Sequence, residues 1–289
     1  MLKQMDRFTG FMGTTDTYQE ADTVIVGIPM DFTVSFRPGT RQGAQAVRNI
    51  SFGIEEYSVD QDKDLADYSY FDAGDIPLPF GRVDESLRLI GHVARQLLSD
   101  NKFPVFLGGE HLVSYPIIEE VYKKYPDLVV VHFDAHADLR TDYAGEPNSH
   151  ATVMRKVCEL IGPKNVYQFG IRSGTKDEFE YAKQNTNMFI NKVIDPLREV
   201  IPQLAGRPVY VSLDIDVVDP AFAPGTGTAE PGGCSSREIL DAIIALGALD
   251  IVGIDIVEIS PVYDQTERTA ILGAKLVREA ILAYTEAKK

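Results

Sequence analysis

The chain has 289 residues, a formal net charge of -15, a pI near 4.7 and only two cysteines. That acidity argues against nucleic acid and anionic membranes, both of which need a basic face, and it suits a small cationic partner better. Cys158 and Cys234 form neither a disulfide framework nor a C-x-x-C pair, the start MLKQMDRFTG has no apolar signal core, and no run of about 18 apolar residues occurs, so a soluble cytoplasmic protein is expected.

In chain order, Thr23–Pro29 (TVIVGIP) reads as the first buried strand. A stretch of helical period follows at Val83–Asp100, then strands at Phe103–Gly109, Leu128–Asp134, Asn165–Ile171 and Val209–Asp216. A second helical stretch at Ser235–Leu249 precedes a strand at Asp250–Ile259. Strands apolar on both faces and separated by helices indicate a parallel sheet covered on each side. The fold class is therefore α/β, a three-layer α/β/α sandwich with a mostly parallel sheet. No linker or repeat interrupts the pattern, so residues 1–289 read as one domain.

Ligands gather at the carboxyl ends of such strands, and the unusual residues sit there. FLGGEH brings His111, FDAHAD brings Asp134, His136 and Asp138, and SLDID brings Asp214 and Asp216. Spacing by two places each set on one side of an extended chain. Four carboxylates and two imidazoles are a set typical of metal ligands, because buried charges of one sign need compensation. Two divalent ions would balance four carboxylates where one would not. Oxygen and nitrogen donors without thiolate favour Mn²⁺, with Co²⁺ and Fe²⁺ left open. The position-six and position-twelve residues counted from Asp134 are Leu139 and Gly145, which excludes an EF-hand.

A paired site lowers the pKa of bound water. The surrounding loops carry Glu110, Asp142, Glu146, Asp219, Glu230 and Glu258 against Arg140 and Arg172, a balance that suits a cationic substrate. Glu258, in GIDIVEIS, reads either as a strand-end salt bridge or as a carboxylate of the site. His150, on the loop EPNSHATVM, reads either as a surface histidine or as a proton relay. His132 lies inside its strand and reads as core or as support for a ligand.

GGEH, DAHAD, SLDIDVVDP, GTGTAEPGG and DIVEISP, in this order, resemble the ureohydrolase family of arginases and agmatinases over nearly the whole chain. The resemblance implies an α/β/α fold and a trimeric or hexameric homo-oligomer. It also implies two Mn²⁺ per subunit, one held by His111, Asp134, Asp138 and Asp214 and the other by Asp134, His136, Asp214 and Asp216. Under it His150 becomes the proton relay, Glu258 the carboxylate that holds a guanidinium, and Thr228 a substrate-loop residue. Glu110 and Ala229 depart from the commoner Asp and Pro, and neither is a ligand position. The loop Leu139–Ser149 lacks the Ser/Asn-rich pattern with which arginases grip a carboxylate, and offers Asp142 and Glu146 instead. The implied activity is hydrolysis of agmatine to putrescine and urea. Guanidinobutyrate, arginine or formiminoglutamate are alternative substrates, and a metallophosphatase or a non-catalytic polyamine binder are more distant readings.

Overall fold

The computed structural model describes residues 10–14 and 17–288. The reading of residues 1–9 as free of a signal core lies outside them. The strands in chain order are β1 Thr23–Ile28, β2 Tyr57–Ser58, β3 Lys63–Asp64, β4 Tyr70–Asp75, β5 Phe103–Gly108, β6 Val129–Phe133, β7 Val166–Ile171, β8 Asn187–Ile190, β9 Pro208–Asp214 and β10 Asp250–Val257. The helices are α1 Gly43–Ser51, α2 Val83–Ser99, α3 Ser114–Lys124, α4 Val153–Ile161, α5 Lys176–Asn185, α6 Ile194–Leu204, α7 Ser236–Leu246 and α8 Arg268–Tyr284.

Eight strands form one sheet in the order β4-β1-β5-β10-β9-β6-β7-β8, and every neighbouring pair is parallel. Strands β2 and β3 form a separate antiparallel ribbon. Alternation along each strand divides the core in two. Ile25, Val105, Leu107, Val131, Val211 and Ile254 pack with residues of α1, α6, α7 and α8 on one face. Val24, Val26, Phe106, Val130 and Tyr210 pack with α2, α3 and α4 on the other. Each fully buried Val, Leu or Ile contributes about 1.5–3 kcal/mol, so the two cores together fix the sheet between its helical layers.

The helices form for local reasons as well. In α2, Ile90, Ala94, Leu97 and Leu98 are buried on one face, and Asp84 and Glu85 favour its positive N-terminus. Ahead of α7, Ser235 Oγ accepts from the Glu238 N–H at 3.2 Å while Glu238 Oε2 accepts from the Ser235 N–H at 2.8 Å, a reciprocal cap. Sequence reading missed β4 and β8 as strands. They lie at the sheet's two edges, and YFDAGD and NMFI are too polar or too short to carry a both-faces apolar pattern.

The order of strands also locates the site. After β5 the chain crosses to β6, and β10 and β9 fill the space between, so the carboxyl ends of these four strands lie side by side. Gly109, just past β5, donates to Ile28 O at 2.8 Å, which joins this point to the end of β1. A Cβ there would stand 1.9 Å from Met30 O and 2.7 Å from Ile28 O. Gly109→Ala should therefore lower stability by about 1–3 kcal/mol, read as a drop in the urea unfolding midpoint. An unchanged midpoint would show that the approach is not tight.

Candidate metal centre

The site is built at the carboxyl ends of β5, β6, β9 and β10. His111 is fully buried, and its Nδ1 faces Asp134 Oδ2 at 3.1 Å, Asp214 Oδ2 at 3.3 Å and Asp138 Oδ2 at 3.4 Å. On the other side His136 Nδ1 faces Asp216 Oδ2 at 2.9 Å and Asp134 Oδ1 at 3.5 Å. Asp134 thus turns one oxygen to each imidazole. All six residues expected from the sequence come together.

They do not converge as a pleated strand would bring them. Strand β6 stops at Phe133. Beyond it His136 makes a single bridge to Ser173, and Asp138 takes a left-handed φ of 52°. Likewise β9 ends at Asp214, and Asp216 lies in a short turn of 3-10 helix. The expectation of one-sided extended chains is corrected here: turns, not the pleat, aim these carboxylates. Backbone N–H groups fix the turns, with Asp134 Oδ1 accepting from His136 N at 2.5 Å, Asp214 Oδ1 from Asp216 N at 2.9 Å and Asp216 Oδ1 from Ala135 N at 3.0 Å.

Whether this set fits a cation is decided by the His111 ring. Ser212 Oγ donates to Asp255 Oδ1 at 2.8 Å, so its lone pair is left to accept from His111 Nε2 at 3.0 Å. That puts a ring proton on Nε2 and leaves Nδ1, which meets no well-aligned hydrogen bond, facing three carboxylate oxygens; although burial opposes it, Asp134 and Asp214 hold the His111 imidazole well above its usual range. Donor atoms crowded in this way call for positive charge between them, supplied by a proton on the ring or by a metal ion in its place. Burial, then the neighbouring carboxylates, push Asp138 and Asp214 well above the usual range. Although burial opposes it, the imidazoles of His111, His132 and His136 hold Asp134 well below that range. The donors therefore fit divalent ions of the oxygen- and nitrogen-binding kind.

His132 is a supporting residue. Gln168 Nε2 donates to Ala137 O at 2.9 Å and reaches His132 Nδ1 at 3.2 Å, so His132 Nε2 donates to Asp134 Oδ2 at 2.9 Å. Both ring nitrogens are thus engaged. Ser212, Asp255 and Gln168 escaped sequence reading, although a serine and an aspartate inside the apolar runs VYVSLDID and DIVGIDIVEI were the available signal.

Glu258, directly after β10, is buried with a left-handed φ of 63°, and its Oε1 accepts from His111 N at 2.9 Å. Such a backbone costs about 1–3 kcal/mol and persists where the surroundings demand the side chain's position. Its Oε1 lies 3.9 Å from His150 Nδ1. Burial, together with the charges His136 and His111 would carry, pushes His150 down to about 4. His136, Asp138, His150, Asp214 and Thr228 line one cavity of about 260 Å³, together with Arg140, Tyr143 and Glu178. Thr228 Oγ1 reaches Asp216 Oδ2 at 3.4 Å.

The loop carboxylates are mostly engaged elsewhere, which corrects the charge balance read from the sequence. Asp142 accepts from Gly145 N and does not line this cavity, while Glu146 lines the neighbouring one. Glu110 accepts from Thr33 N, Asp219 from Ala221, Gly232 and Gly233, and Arg172 donates to four backbone carbonyls. The carboxyl side chains that line the cavity are instead Asp138, Asp214 and Glu178. Glu178 was missed, and it anchors the site by accepting from Leu139 N at 2.9 Å.

Ser212→Ala removes the acceptor that sets the His111 tautomer. Metal affinity should fall by about 10–100-fold in a chelator competition, and an unchanged affinity would sink this role for the Ser212–Asp255 pair.

Comparison with known proteins agrees with this geometry. The arginase family profile matches residues 21–283. The chain is 55% identical over 280 residues to an agmatinase of Bacillus subtilis, covering 96% of each, and 35% identical over 272 residues to a guanidinobutyrase of Pseudomonas aeruginosa, covering 90% of this chain and 85% of that one. It superposes on the crystal structure of the agmatine ureohydrolase of Thermoplasma volcanium with a TM-score of 0.88 at 31% identity, covering 98% of this chain and 96% of that one. The family resemblance read from the five motifs holds: the chain belongs to the arginase family and has its fold.

Proposed function

We propose that the chain is an agmatinase, hydrolysing agmatine to putrescine and urea, with two Mn²⁺ per subunit held by His111, Asp134, His136, Asp138, Asp214 and Asp216. When bound, such a pair neutralises the carboxylates and yields a nucleophile from water at neutral pH.

The remaining roles belong to side chains. Burial, with the charge of Glu110, pushes Glu258 up to about 8, so a cation beside it is what keeps it ionised at neutral pH. A guanidinium meets that need, and its planar N–H groups match a carboxylate. Orientation matters because guanidinium is a poor electrophile. Water's oxygen becomes bonded to the guanidino carbon, the bond from that carbon to the alkyl nitrogen breaks, and the proton goes to the departing amine. His150, 3.9 Å from Glu258, is placed to handle that proton. Thr228 forms part of the wall. The observation that carries the reading is this pairing of a buried carboxylate with a neutral imidazole beside a cluster of metal-type donors. The agmatinase relative at 55% identity supports the choice of substrate.

Arg140 favours a second reading. It lines the same cavity, and its Nε is 3.4 Å from Glu178 Oε2, so it is only loosely neutralised. A substrate ending in a carboxylate, such as guanidinobutyrate, would pair with it, and the guanidinobutyrase relative is consistent with that.

The reading also takes residues 1–289 as one domain in a cytoplasmic homo-oligomer, a trimer or hexamer. Among the described residues no helix is long and apolar enough to cross a membrane, and exposed Phe36, Phe222 and Val262 offer apolar surface for self-association. Sedimentation should give a trimer or hexamer, and a monomer at micromolar concentration would refute that part.

Urea released from agmatine, arginine and guanidinobutyrate by the Mn²⁺-loaded protein decides the substrate. Agmatine should give the highest kcat/KM, and preference for guanidinobutyrate would install the second reading. His150→Ala should keep its metal and lose about 10²–10⁴-fold in kcat. Full activity in that variant would remove His150 from the reaction.

A further inference from the structure

The loop that follows β1 makes contacts with His150 that the reading above does not use. Ser35 N donates to His150 Nε2 at 3.2 Å, and Ser35 Oγ lies 2.9 Å from the same nitrogen. Thr33, two residues earlier, accepts through Oγ1 from His150 N at 3.1 Å. The loop is itself fastened to the sheet edge: Glu110 N donates to Met30 O at 2.8 Å, and Glu110 Oε2 accepts from Thr33 N at 2.8 Å. At its far end Asp31 accepts from Gly39 N at 3.0 Å.

A backbone N–H only donates. The nitrogen facing it must present a lone pair, so Nε2 of His150 is unprotonated and the ring proton is on Nδ1, the nitrogen nearer Glu258. A neutral ring in this state has a difficulty as an acid. It can release the Nδ1 proton only by gaining one at Nε2, and the neighbour able to give one there is the Ser35 hydroxyl, on an exposed residue.

We propose that Ser35 is a positioning residue for His150: its N–H fixes the Nδ1–H tautomer, and its hydroxyl resupplies the proton that the ring gives up. In the step, the His150 Nδ1–H bond breaks as an N–H bond forms on the departing amine. The Ser35 Oγ–H bond breaks as Nε2–H forms, Oγ recovers a proton from solvent water, and the ring regains its starting form when Nδ1 takes a proton from solvent and Nε2–H gives one back to solvent through Oγ. Glu110 acts one stage further back by holding Thr33, and through it the loop. The kinetic part of this inference rests on the hydrolase reading, whereas the tautomer does not.

The experiment has two arms on the full-length chain. In the first, ¹⁵N-histidine two-bond correlation spectra are recorded with diamagnetic Mg²⁺ in place of Mn²⁺. The chain has only five histidines, and His150→Asn identifies the signals in question. The Nδ1–H pattern is expected both in the unaltered protein and in Ser35→Ala, which keeps the backbone donor. An Nε2–H pattern in the unaltered protein overturns the proposal. In the second arm, on Mn²⁺-loaded protein, Ser35→Ala should lose about tenfold or more in kcat with KM and metal content unchanged. Ser35→Thr, which keeps the hydroxyl, should restore most of that loss, and the proton inventory of kcat should pass from curved to linear in Ser35→Ala. Unchanged kcat in Ser35→Ala overturns the relay. The Nδ1–H tautomer with no urea from any guanidino substrate refutes agmatinase function and the relay together, and upholds the tautomer.

Discussion

Four carboxylates are buried within a few ångströms of one another at one sheet edge, where like charges need compensation by protons or by a cation. Asp134 is the hinge of this constraint. One of its oxygens faces His111 and the other faces His136, so both halves of the centre share it. Desolvation of each charged group costs several kcal/mol, and removing one partner from such a set leaves the rest uncompensated. The supporting bonds follow from the same need. Ser212 with Asp255 turns His111 Nδ1 toward the centre, and Gln168 through His132 fixes Asp134 by the bond from His132 Nε2 to its Oδ2.

The fold makes this crowding affordable by distributing its cost over rigid strands. β5, β10, β9 and β6 are adjacent and parallel and largely apolar on both faces, and each delivers a residue of the site at its end or within three residues beyond it. What lies beyond the strand ends is irregular but tied down. Asp138 and Glu258 occupy left-handed backbone, and each is tied by a backbone hydrogen bond, Glu258 N donating to Gly109 O and Arg155 N donating to Asp138 O. The loop that follows β1 reaches His150 through Thr33 and Ser35, so His150 is held by a different part of the chain from the strand ends that carry the six donors.

Much of this was legible in the sequence, because it depended on local pattern. Runs such as LVVVHF leave no amphipathic choice, and charged residues placed directly after them mark the carboxyl edge of a parallel sheet. The six donors and Glu258 were therefore found where the strands end. Less was legible where three-dimensional pairing decides. That Asp142 would spend its carboxylate on Gly145 N, and Glu110 on Thr33 N, is not encoded in residue type. Ser35 carried no signal in the sequence, since its partner stands 115 residues away. The edge strands β4 and β8 were hidden because one side of each has no neighbour, so their sequences need not be apolar throughout.

The most direct measurement is calorimetric titration of the metal-free chain with Mn²⁺, followed by thermal unfolding of the free and loaded forms. Binding of two ions per chain is expected, with stability rising by about 2.7 kcal/mol per site when the free ion is at a hundredfold excess over Kd. Asp134→Asn should weaken both sites together, since it is the shared carboxylate. Absence of binding, or two sites that respond independently to that substitution, would contradict a single centre organised around Asp134.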